Sequence, residues 1–525
     1  MRPPRTLRGT EESAGDGRPV EWMLDGAALS LDGLAPVLER RLQVRLSEAV
    51  WARIDAGAAA VKRIAEGPVA AYGINTGFGY LCTKRIAAEQ LSILQTNLLI
   101  SHAVGVGPPT RGDIVRWMML FKIHALTHGV SGVSRRPVEV LTALLNADAL
   151  PVVPTQGSLG ASGDLAPLAH LALPLIGLGT IAFEGEVRAA KEVLGRLGIA
   201  PITPGPKESL ALINGTQFMS AYAAHLAVRA RRLVKHADVI ASMSLEGCAG
   251  SVKPFDERLH RLRPHRGAIE VAQNFRRLMA DSEIVASHAD CDRVQDPYSL
   301  RCIPQVHGAS RDALRHACEV IETEINSVTD NPLIFENGEV VSGGSFHGQP
   351  LALILDYLAI ALSELSSISE RRTYLLLSGI AGLPVSLATD GGLNSGFMMP
   401  QYTSAALVSE NKGLCMPASV DSIPTSMGQE DHVSMGARAA VKCLQVLENT
   451  ETVLAIEQLC AAQAIDFRAP LKPGVGPRVA HQVVRERISH AAVDRLLGED
   501  IQSSLAMLRS GCVVQRVEQA VGVVV

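Results

Sequence analysis

Apolar and polar positions in the second half of the chain recur with the period of an α-helix. Between Arg311 and Val328, apolar residues return at three- and four-residue intervals, as expected when one face of a helix is buried. The stretches from Gln349 to Gly379 and from Glu448 to Arg468 are apolar around most of the helix circumference. Such helices predict the centre of a bundle or a subunit interface.

The first half mixes shorter helical patterns with glycine-rich loops, of which Ala71 to Tyr80 is one. We therefore predict a mainly α protein in three parts. Residues 1–21 form a disordered tail, polar and without a visible secretory signal. Residues 22–215 form a mixed, loop-rich N-terminal domain, and residues 216–525 form a long-helix bundle core with C-terminal helices.

One uncharged stretch, Leu165 to Phe183, has nearly the length of a membrane span. It contains Pro167, Pro174, Gly177 and Gly179, and this density of prolines and glycines breaks a spanning helix. We predict buried helix and turn here, and no membrane partner.

The composition is that of a globular protein: 525 residues, 47% of them hydrophobic, with a formal net charge of -4. This charge provides no basic surface for nucleic acid. The nine cysteines are scattered, which predicts reduced thiols and a cytoplasmic location. No metal site is expected, because His102, His170, His347 and His432 are isolated in the sequence and lack ligand spacing.

The stretch TQGSLGASGDLAPLAH, from Thr155 to His170, carries candidate covalent chemistry. The backbone nitrogen of Gly163 can attack the carbonyl of Ala161 if the chain bends sharply, since neither residue is bulky. Ring closure and dehydration of Ser162 would release two waters and leave an imidazolone with an exocyclic methylene, a strong electrophile. Asp164 as N-cap would place this triplet at a helix N-terminus. The alternative is a Gly/Ser-rich turn that starts a helix.

The motif QDPYSLR offers a base and a positive charge. Asp296 is predicted as an N-cap with Pro297 at the first helical position, so that Tyr298 and Arg301 share a face. The guanidinium would lower the pKa of the phenol and can also hold a carboxylate. The alternative is an ordinary Tyr-Arg surface pair.

From about residue 22 onward the chain resembles the aromatic amino acid ammonia-lyases. The resemblance rests on GSLGASGDLAPLAH and on motifs that follow the family's order: YGINTGFG, NLLISHAVGVG, LINGTQ, QDPYSLRC, TDNPL, GGSFHGQP and SVDSIPTSMGQEDHVSM. It implies a 4-methylidene-imidazole-5-one (MIO) electrophile formed autocatalytically from Ala161, Ser162 and Gly163, with no external cofactor. It also implies a homotetramer whose active sites combine loops of three subunits.

The resemblance assigns catalytic roles to further residues. Tyr298 is the candidate base for the β-proton, and Tyr72 is a second catalytic tyrosine whose duty is not separated from that of Tyr298. Asn214 would hold the MIO carbonyl or the substrate, although an Asn-Gly pair can also be a simple turn.

The substrate-binding residues follow in the same way. Arg301 would clamp the substrate carboxylate, Gln295 would line the site, and Phe346 would pack at the site, with core packing as its alternative. His102 and Glu430 look like the form that acts on L-histidine and gives trans-urocanate and ammonia, the first step of histidine degradation. An imidazole can pair with both groups, whereas a phenyl ring would leave both unsatisfied. Glu430 could instead accept a proton from the leaving amine.

One departure from the family pattern precedes Glu430. Met427 and Gly428 stand where the family usually has Ala and Asn, which predicts a looser loop.

Three rival functions stay open at this point. A tyrosine or phenylalanine ammonia-lyase or an aminomutase would share the electrophile. A serine amidase would need a lysine near Ser162, and none lies between Lys122 and Lys191. An inactive lyase-like helical scaffold would keep an unmodified triplet.

Overall fold

The computed structural model describes residues 19–37, 39–335 and 337–525. The predicted tail lies outside the described residues up to residue 18. Its last two residues, Val20 and Glu21, belong to the first strand instead. The described chain is mainly helical, which confirms the predicted fold class.

The α-helices, α1 to α20 in chain order, have the following bounds: Leu31–Leu34, Glu48–Glu66, Leu91–His102, Gly112–Leu126, Arg135–Asn146, Leu165–Ala172, Ala190–Arg196, Glu208–Ile213, Gln217–Gly247, Glu257–Leu262, Arg266–Leu278, Glu283–Ser287, Tyr298–Arg301, Ile303–Ile325, Gln349–Leu377, Met398–Leu414, Gly436–Asp466, Val475–Arg485, Leu497–Ser510 and Cys512–Val521.

The strands, β1 to β9, are short: Val20–Leu24, Leu42–Leu46, Val106–Pro109, Leu150–Pro151, Pro154–Gln156, Thr180–Phe183, Glu186–Ala189, Leu333–Ile334 and Val340–Val341. Strands β1 and β2 pair in parallel. The other described pairs are antiparallel: β3 with β5, β6 between β4 and β7, and β8 with β9.

The described chain divides into two compact units. Unit 1 comprises residues up to Val228 together with Cys318–Asp356 and Pro417–Val441, and it contains every described strand. Unit 2 comprises Arg229–Ala317, Tyr357–Met416 and Lys442–Val525. Both units are discontinuous in sequence. The predicted boundary after residue 215 stays a prediction.

Unit 2 is built on a large apolar cluster of helical side chains. Phe255 and Phe275 stack at its base with ring centroids 4.2 Å apart, and Ile456 and Leu459 are buried in it. Burial of this kind of apolar surface is the main favourable contribution to folding.

In unit 1, α4 is buried along almost its whole length, which anchors the loops around it. A smaller apolar cluster joins Ala60 and Val61 of α2 to Ile74 and Ile334.

The predicted long helices are present, but two begin earlier than the sequence suggested. Helix α14 begins at Ile303, not Arg311, and runs through Gly308. At that glycine the neighbouring helix comes very close, since a Cβ at Gly267 of α11 would lie 2.1 Å from the Gly308 carbonyl oxygen. Two helices therefore approach each other at backbone distance there. Helix α17 likewise begins at Gly436, not Glu448.

Helix α15 is long and apolar enough to cross a membrane, and among the described residues it is the one helix that meets this test. Length and composition alone are weak evidence for a span, and 67% of its most apolar window is buried inside the protein. The stretch from Leu165 to Phe183 forms α6, a 3-10 turn and β6, so the predicted helix and turn are present and the strand was not predicted.

Candidate active site

The triplet Ala161-Ser162-Gly163 lies on a sharply bent loop of unit 1 that leads into α6. Ser162 has a φ of +50° and Gly163 a φ of +79°. The Gly163 N–H donates to the Gly160 carbonyl oxygen at 3.3 Å. Left-handed backbone at a non-glycine residue carries strain, so the surrounding structure holds Ser162 in this conformation.

Gly215, just before α9, packs directly against the triplet. Its N–H donates to the Ser162 carbonyl oxygen at 3.4 Å, and its own carbonyl accepts from the Asp164 N–H at 2.7 Å. A Cβ on Gly163 would lie 2.1 Å from the Gly215 carbonyl oxygen. Only glycine therefore fits at position 163, for steric reasons that the local sequence does not reveal.

Asp164 occupies the N-cap position of α6, but its side chain does not cap that helix. Its Oδ2 accepts instead from the Met219 N–H at 2.9 Å, in the first turn of α9, and the Ser158 hydroxyl donates to Oδ1 at 3.4 Å. The predicted side-chain cap of α6 was wrong, because the Asp164 carboxylate accepts a hydrogen bond from α9 instead. Asp164 is buried, and burial raises its pKa to about 7.

Asn214 follows the last residue of α8 and is buried. Its backbone N–H donates to the Leu210 carbonyl oxygen at 2.8 Å. Its side-chain Oδ1 has no hydrogen-bond partner among the described residues. A buried carbonyl oxygen left in this state is available to a hydrogen-bond donor of a group bound there.

Tyr72, His102 and Glu430 come together in unit 1. The Gly79 N–H donates to the Tyr72 hydroxyl at 3.4 Å. Burial raises the pKa of Tyr72, and the Glu430 carboxylate nearby raises it further. Burial lowers the pKa of His102, while the same carboxylate opposes that shift. His102 also lies 3.0 Å from the Ser101 hydroxyl through Nδ1.

Glu430 lies on a loop, residues 419–435, that is fastened at several points. The Thr425 hydroxyl donates to Glu430 Oε2 at 2.7 Å, and the two residues form an isolated bridge. Farther along, the Met435 N–H donates to the Leu159 carbonyl oxygen at 3.0 Å, which joins this loop to the triplet loop. Gly428 has a φ of +84°, a left-handed value that suits glycine.

Phe346 is half-buried on the turn before α15. The next residue, His347, stacks on His432 with ring centroids 5.5 Å apart, and His347 Nε2 lies 3.4 Å from His432 Nδ1. These two histidines are thus not isolated in the fold, and their contact ties the Phe346 turn to the Glu430 loop. Among the described residues, no group of three or more His, Cys, Asp or Glu side chains could hold a metal ion.

Gln295, Tyr298 and Arg301 belong to unit 2. Helix α13 begins at Tyr298, with Pro297 at its N-cap, so the predicted capping by Asp296 was wrong. Asp296 is buried and accepts instead from the Ser251 N–H at 2.6 Å. The Arg301 guanidinium lies over the Tyr298 ring, 4.8 Å from its centroid, and Tyr298 is 71% exposed.

A cavity of about 860 Å³ in unit 2 is bordered by Gln295 and Arg301. Three further cations, Lys253, Arg263 and Arg293, line it as well. Arg301 Nε is buried without a hydrogen-bond partner among the described residues. Such a cavity suits a carboxylate, which can accept bidentate hydrogen bonds from arginine.

Two residues were not predicted as site residues: Thr425, which binds Glu430, and Lys122, which binds the Asn214 carbonyl oxygen. Thr425 gives no distinctive sequence signal. Lys122 does give one, since it stands alone in the apolar run WMMLFKIHAL of α4. Its ammonium donates to the Asn214 carbonyl oxygen at 2.8 Å. Burial lowers the pKa of Lys122 to about 7.

Comparison with known proteins places this site in a family. The model of the aromatic amino acid lyase family matches residues 29–486. A histidine ammonia-lyase from Gloeobacter violaceus is 51% identical over 96% of this chain and 99% of its own length. The crystal structure of histidine ammonia-lyase from Trypanosoma cruzi superposes with a TM-score of 0.88 at 42% identity and covers 96% of both chains. The crystal structure of a tyrosine aminomutase from Streptomyces globisporus superposes with a TM-score of 0.89 at 35% identity, over 96% of this chain and 99% of that one.

The chain belongs to the aromatic amino acid lyase family. This family uses an autocatalytic MIO group. The residues of this chain fit that group, because the bend at Ser162 and Gly163 and the absence of side-chain bulk at Gly163 suit ring closure at the triplet.

Proposed function

We propose that this protein eliminates ammonia from L-histidine to give trans-urocanate, using an MIO electrophile formed from Ala161, Ser162 and Gly163. The observation that carries the proposal is the grouping of Tyr72 and His102 around Glu430, whose loop is joined to the triplet loop by the Met435–Leu159 hydrogen bond. The likeness to histidine ammonia-lyases over nearly the full chain supports the same substrate.

The imidazole of the substrate is recognised by His102 and Glu430. A carboxylate accepts a hydrogen bond from one ring nitrogen, and a neutral histidine can pair with the other. Thr425 fixes the Glu430 carboxylate by its hydrogen bond at 2.7 Å, and the lowered pKa of His102 favours its neutral form. A phenyl or phenol side chain would leave these half-buried groups unpaired, which disfavours phenylalanine and tyrosine.

The amino acid end of the substrate is handled by the remaining candidate site residues. Arg301 binds the carboxylate with Gln295 beside it, and Phe346 packs against the bound substrate. Tyr298 takes the β-proton, and Tyr72 serves as the second tyrosine, hydrogen-bonded to Gly79. Asn214 holds the ring carbonyl through its amide. The MIO group, once formed, supplies an electrophile that activates the amino group as a leaving group.

We further propose a homotetramer whose active sites are shared among three subunits. Two features of the single chain support this assembly. Tyr298 is 71% and Val294 is 94% exposed, although a proton transfer needs enclosure from water. On α15, Leu353, Tyr357 and Ile360 form an exposed apolar row of the kind that marks subunit contacts.

The catalytic proposal is tested by intact mass and by product. We expect the purified chain to lack the mass of two waters and to convert L-histidine to a product with the ultraviolet absorbance of urocanate. L-phenylalanine and L-tyrosine should give little cinnamate or coumarate. A full unmodified mass in a folded preparation would exclude the MIO mechanism. Formation of β-amino acids would favour the aminomutase alternative. The likeness to a tyrosine aminomutase is the reason to test that alternative.

The shared sites are tested by complementation. Ser162→Ala and Tyr298→Phe should each be inactive as homotetramers. Unfolding and refolding them together should restore part of the activity, because mixed tetramers contain sites with one intact copy of each residue. If the mixture stays inactive while light scattering shows mixed tetramers, sharing of these two residues between subunits is wrong.

A further inference from the structure

Lys122 is a buried amine that binds the peptide group next to the triplet loop and has no part in the mechanism proposed above. It lies on α4, is 2% exposed, and is surrounded along the helix by Trp117, Phe121 and Ile123. Taking an ammonium out of water is costly unless it is well compensated. A neutral side chain would pack in this helix at lower cost, so the position calls for a specific role.

The hydrogen bonds of Lys122 converge on the end of α8. Its Nζ donates to the Asn214 carbonyl oxygen at 2.8 Å and to the Ala211 carbonyl oxygen at 3.1 Å. At the other end of α8, Gln95 Oε1 accepts from the N–H groups of Ser209 at 2.9 Å and Leu210 at 3.2 Å. Two side chains from neighbouring helices therefore fix this short helix at both ends.

The carbonyl that Lys122 binds belongs to the peptide group between Asn214 and Gly215. The N–H of that same peptide group donates to the Ser162 carbonyl oxygen at 3.4 Å. The ammonium of Lys122, one peptide group and the Ser162 carbonyl thus form a continuous chain of hydrogen bonds. A cation at one end polarises the peptide and strengthens its N–H as a donor at the other end.

This polarisation matters at the Ser162 carbonyl group. In ring closure of the triplet it becomes the ring carbonyl, conjugated with the methylene derived from the Ser162 side chain. Withdrawing electrons from that oxygen makes the conjugated methylene a better electrophile.

The charged groups facing Lys122 are Asp164, Asp330 and Lys207. Lys207 is paired with Asp330 at 2.6 Å, and Asp164 is bound by main-chain N–H groups of α9. The two carboxylates and the two carbonyl oxygens favour the ammonium form of Lys122, against the cost of its burial.

We propose that Lys122 is a positioning residue that orients the Asn214–Gly215 peptide and, through it, polarises the Ser162 carbonyl. This inference rests on the proposed function, since it concerns the electrophile formed from the triplet. It assigns Lys122 to the chemistry of the site and not to the stability of α4 alone.

The test compares three substitutions of one residue. Lys122→Arg keeps the charge, Lys122→Gln keeps a hydrogen-bond donor without the charge, and Lys122→Met keeps only the length. Arg116→Met is the matched control, because Arg116 lies on the same helix and binds Asp148 at 2.6 Å. For each protein we would measure the melting temperature, the fraction of chains that have lost two waters, and kcat and KM per matured site.

We expect Lys122→Gln and Lys122→Met to contain unmodified chains and to show a kcat per matured site that is lower by about tenfold, with KM for L-histidine unchanged. Lys122→Arg should recover most of the maturation and most of the kcat per matured site, and the triplet of Arg116→Met should mature fully. The proposal fails if Gln matures and turns over as Arg does. It also fails if Gln and Met both lose the fold while Arg keeps it, since Lys122 is then a structural cap. If the wild-type chain itself is unmodified, the proposed function fails first; if it is matured and the variants equal it, only the role of Lys122 fails.

Discussion

The buried charged side chains of the two units bind different kinds of partner. In unit 2, Arg372 binds Glu457 through Nε at 2.5 Å, and His307 binds Asp238 at 2.8 Å. Arg311 also binds Asp238, at 2.7 Å. These side chains pair with one another across the long helices. In unit 1, Lys122 and Asp164 bind the backbone: carbonyls at the end of α8 and an N–H at the start of α9.

This difference follows from what each unit has to fix. Regular helices satisfy their own backbone, so in unit 2 these paired side chains set the register between helices. The triplet loop has left-handed residues and peptide groups without a regular partner. Its conformation must be imposed by side chains that reach the main chain. Among these groups, buried charge joins helices in unit 2 and holds loop backbone in unit 1. Neither role is exclusive, since Lys207 pairs with Asp330 in unit 1 and Asp296 accepts a main-chain N–H in unit 2.

The largest effect should come from removing the one side chain in unit 1 that supplies the methylene. Ser162→Ala cannot dehydrate, so we expect activity at background level and no loss of the second water. The melting temperature should stay near that of the wild type, because alanine accepts the same backbone. Measurable urocanate formation by the purified variant would contradict the chemistry assigned to the triplet.

The next largest effect should come from unit 2 and should leave the triplet intact. Glu457→Ala leaves Arg372 buried without its carboxylate and removes the acceptor of the Ser244 hydroxyl. We expect a loss of about 3–5 kcal/mol in the free energy of unfolding, measured by denaturant titration.

The matched control for this prediction replaces both partners. Arg372→Met with Glu457→Leu should recover much of the stability, since no charge is left unpaired. Folded Glu457→Ala should still show the loss of two waters by mass. An unmodified triplet in that variant would mean that the two kinds of buried charge are not separable.

Both units should contribute to the loss of folding stability at acidic pH. Burial lowers the pKa of His124 in unit 1 and of His236 in unit 2 to about 4. Each histidine is neutral in the folded state, so its contribution is present above pH 6.5 and is lost as the pH falls from 6.5 towards 4, by up to about 3 kcal/mol per histidine. His124→Gln and His236→Gln should each flatten the pH dependence of the melting temperature. An unchanged slope for one variant would show that its unit does not limit acid stability.

The smallest effect should be on substrate choice within unit 1. Glu430→Gln keeps an acceptor for the Thr425 hydroxyl but removes the charge that faces the imidazole. We expect KM for L-histidine to rise about tenfold, with full maturation of the triplet by mass. If kcat falls and KM does not, Glu430 accepts the proton of the leaving amine instead of binding the ring.

The sequence predicted the fold class and the long helices because period and length carry those signals directly. It placed the starts of α14 and α17 too late, because the apolar pattern was followed only from Arg311 and Glu448. The sequence motifs placed Tyr72, His102 and Glu430 in one hypothesis. In the structure, Tyr72 and His102 both lie near the Glu430 carboxylate.

Other features had no local signal. That Asp164 binds α9 and not α6 depends on a residue far along the chain, Met219. Lys122 stood out only as a charge in an apolar run, and its partners at the end of α8 are distant in sequence. Contacts between remote segments decide such roles, and residue patterns do not encode them.

The contact between Gly163 and Gly215 also sets an order of events during synthesis. The triplet leaves the ribosome well before Gly215, and the bend that brings its reacting atoms together is completed by hydrogen bonds from that later residue. We expect nascent chains that end before residue 215 to carry an unmodified triplet. The mass of each molecule would then show whether its N-terminal segments have reached the native arrangement, because only molecules that have done so lose the two waters.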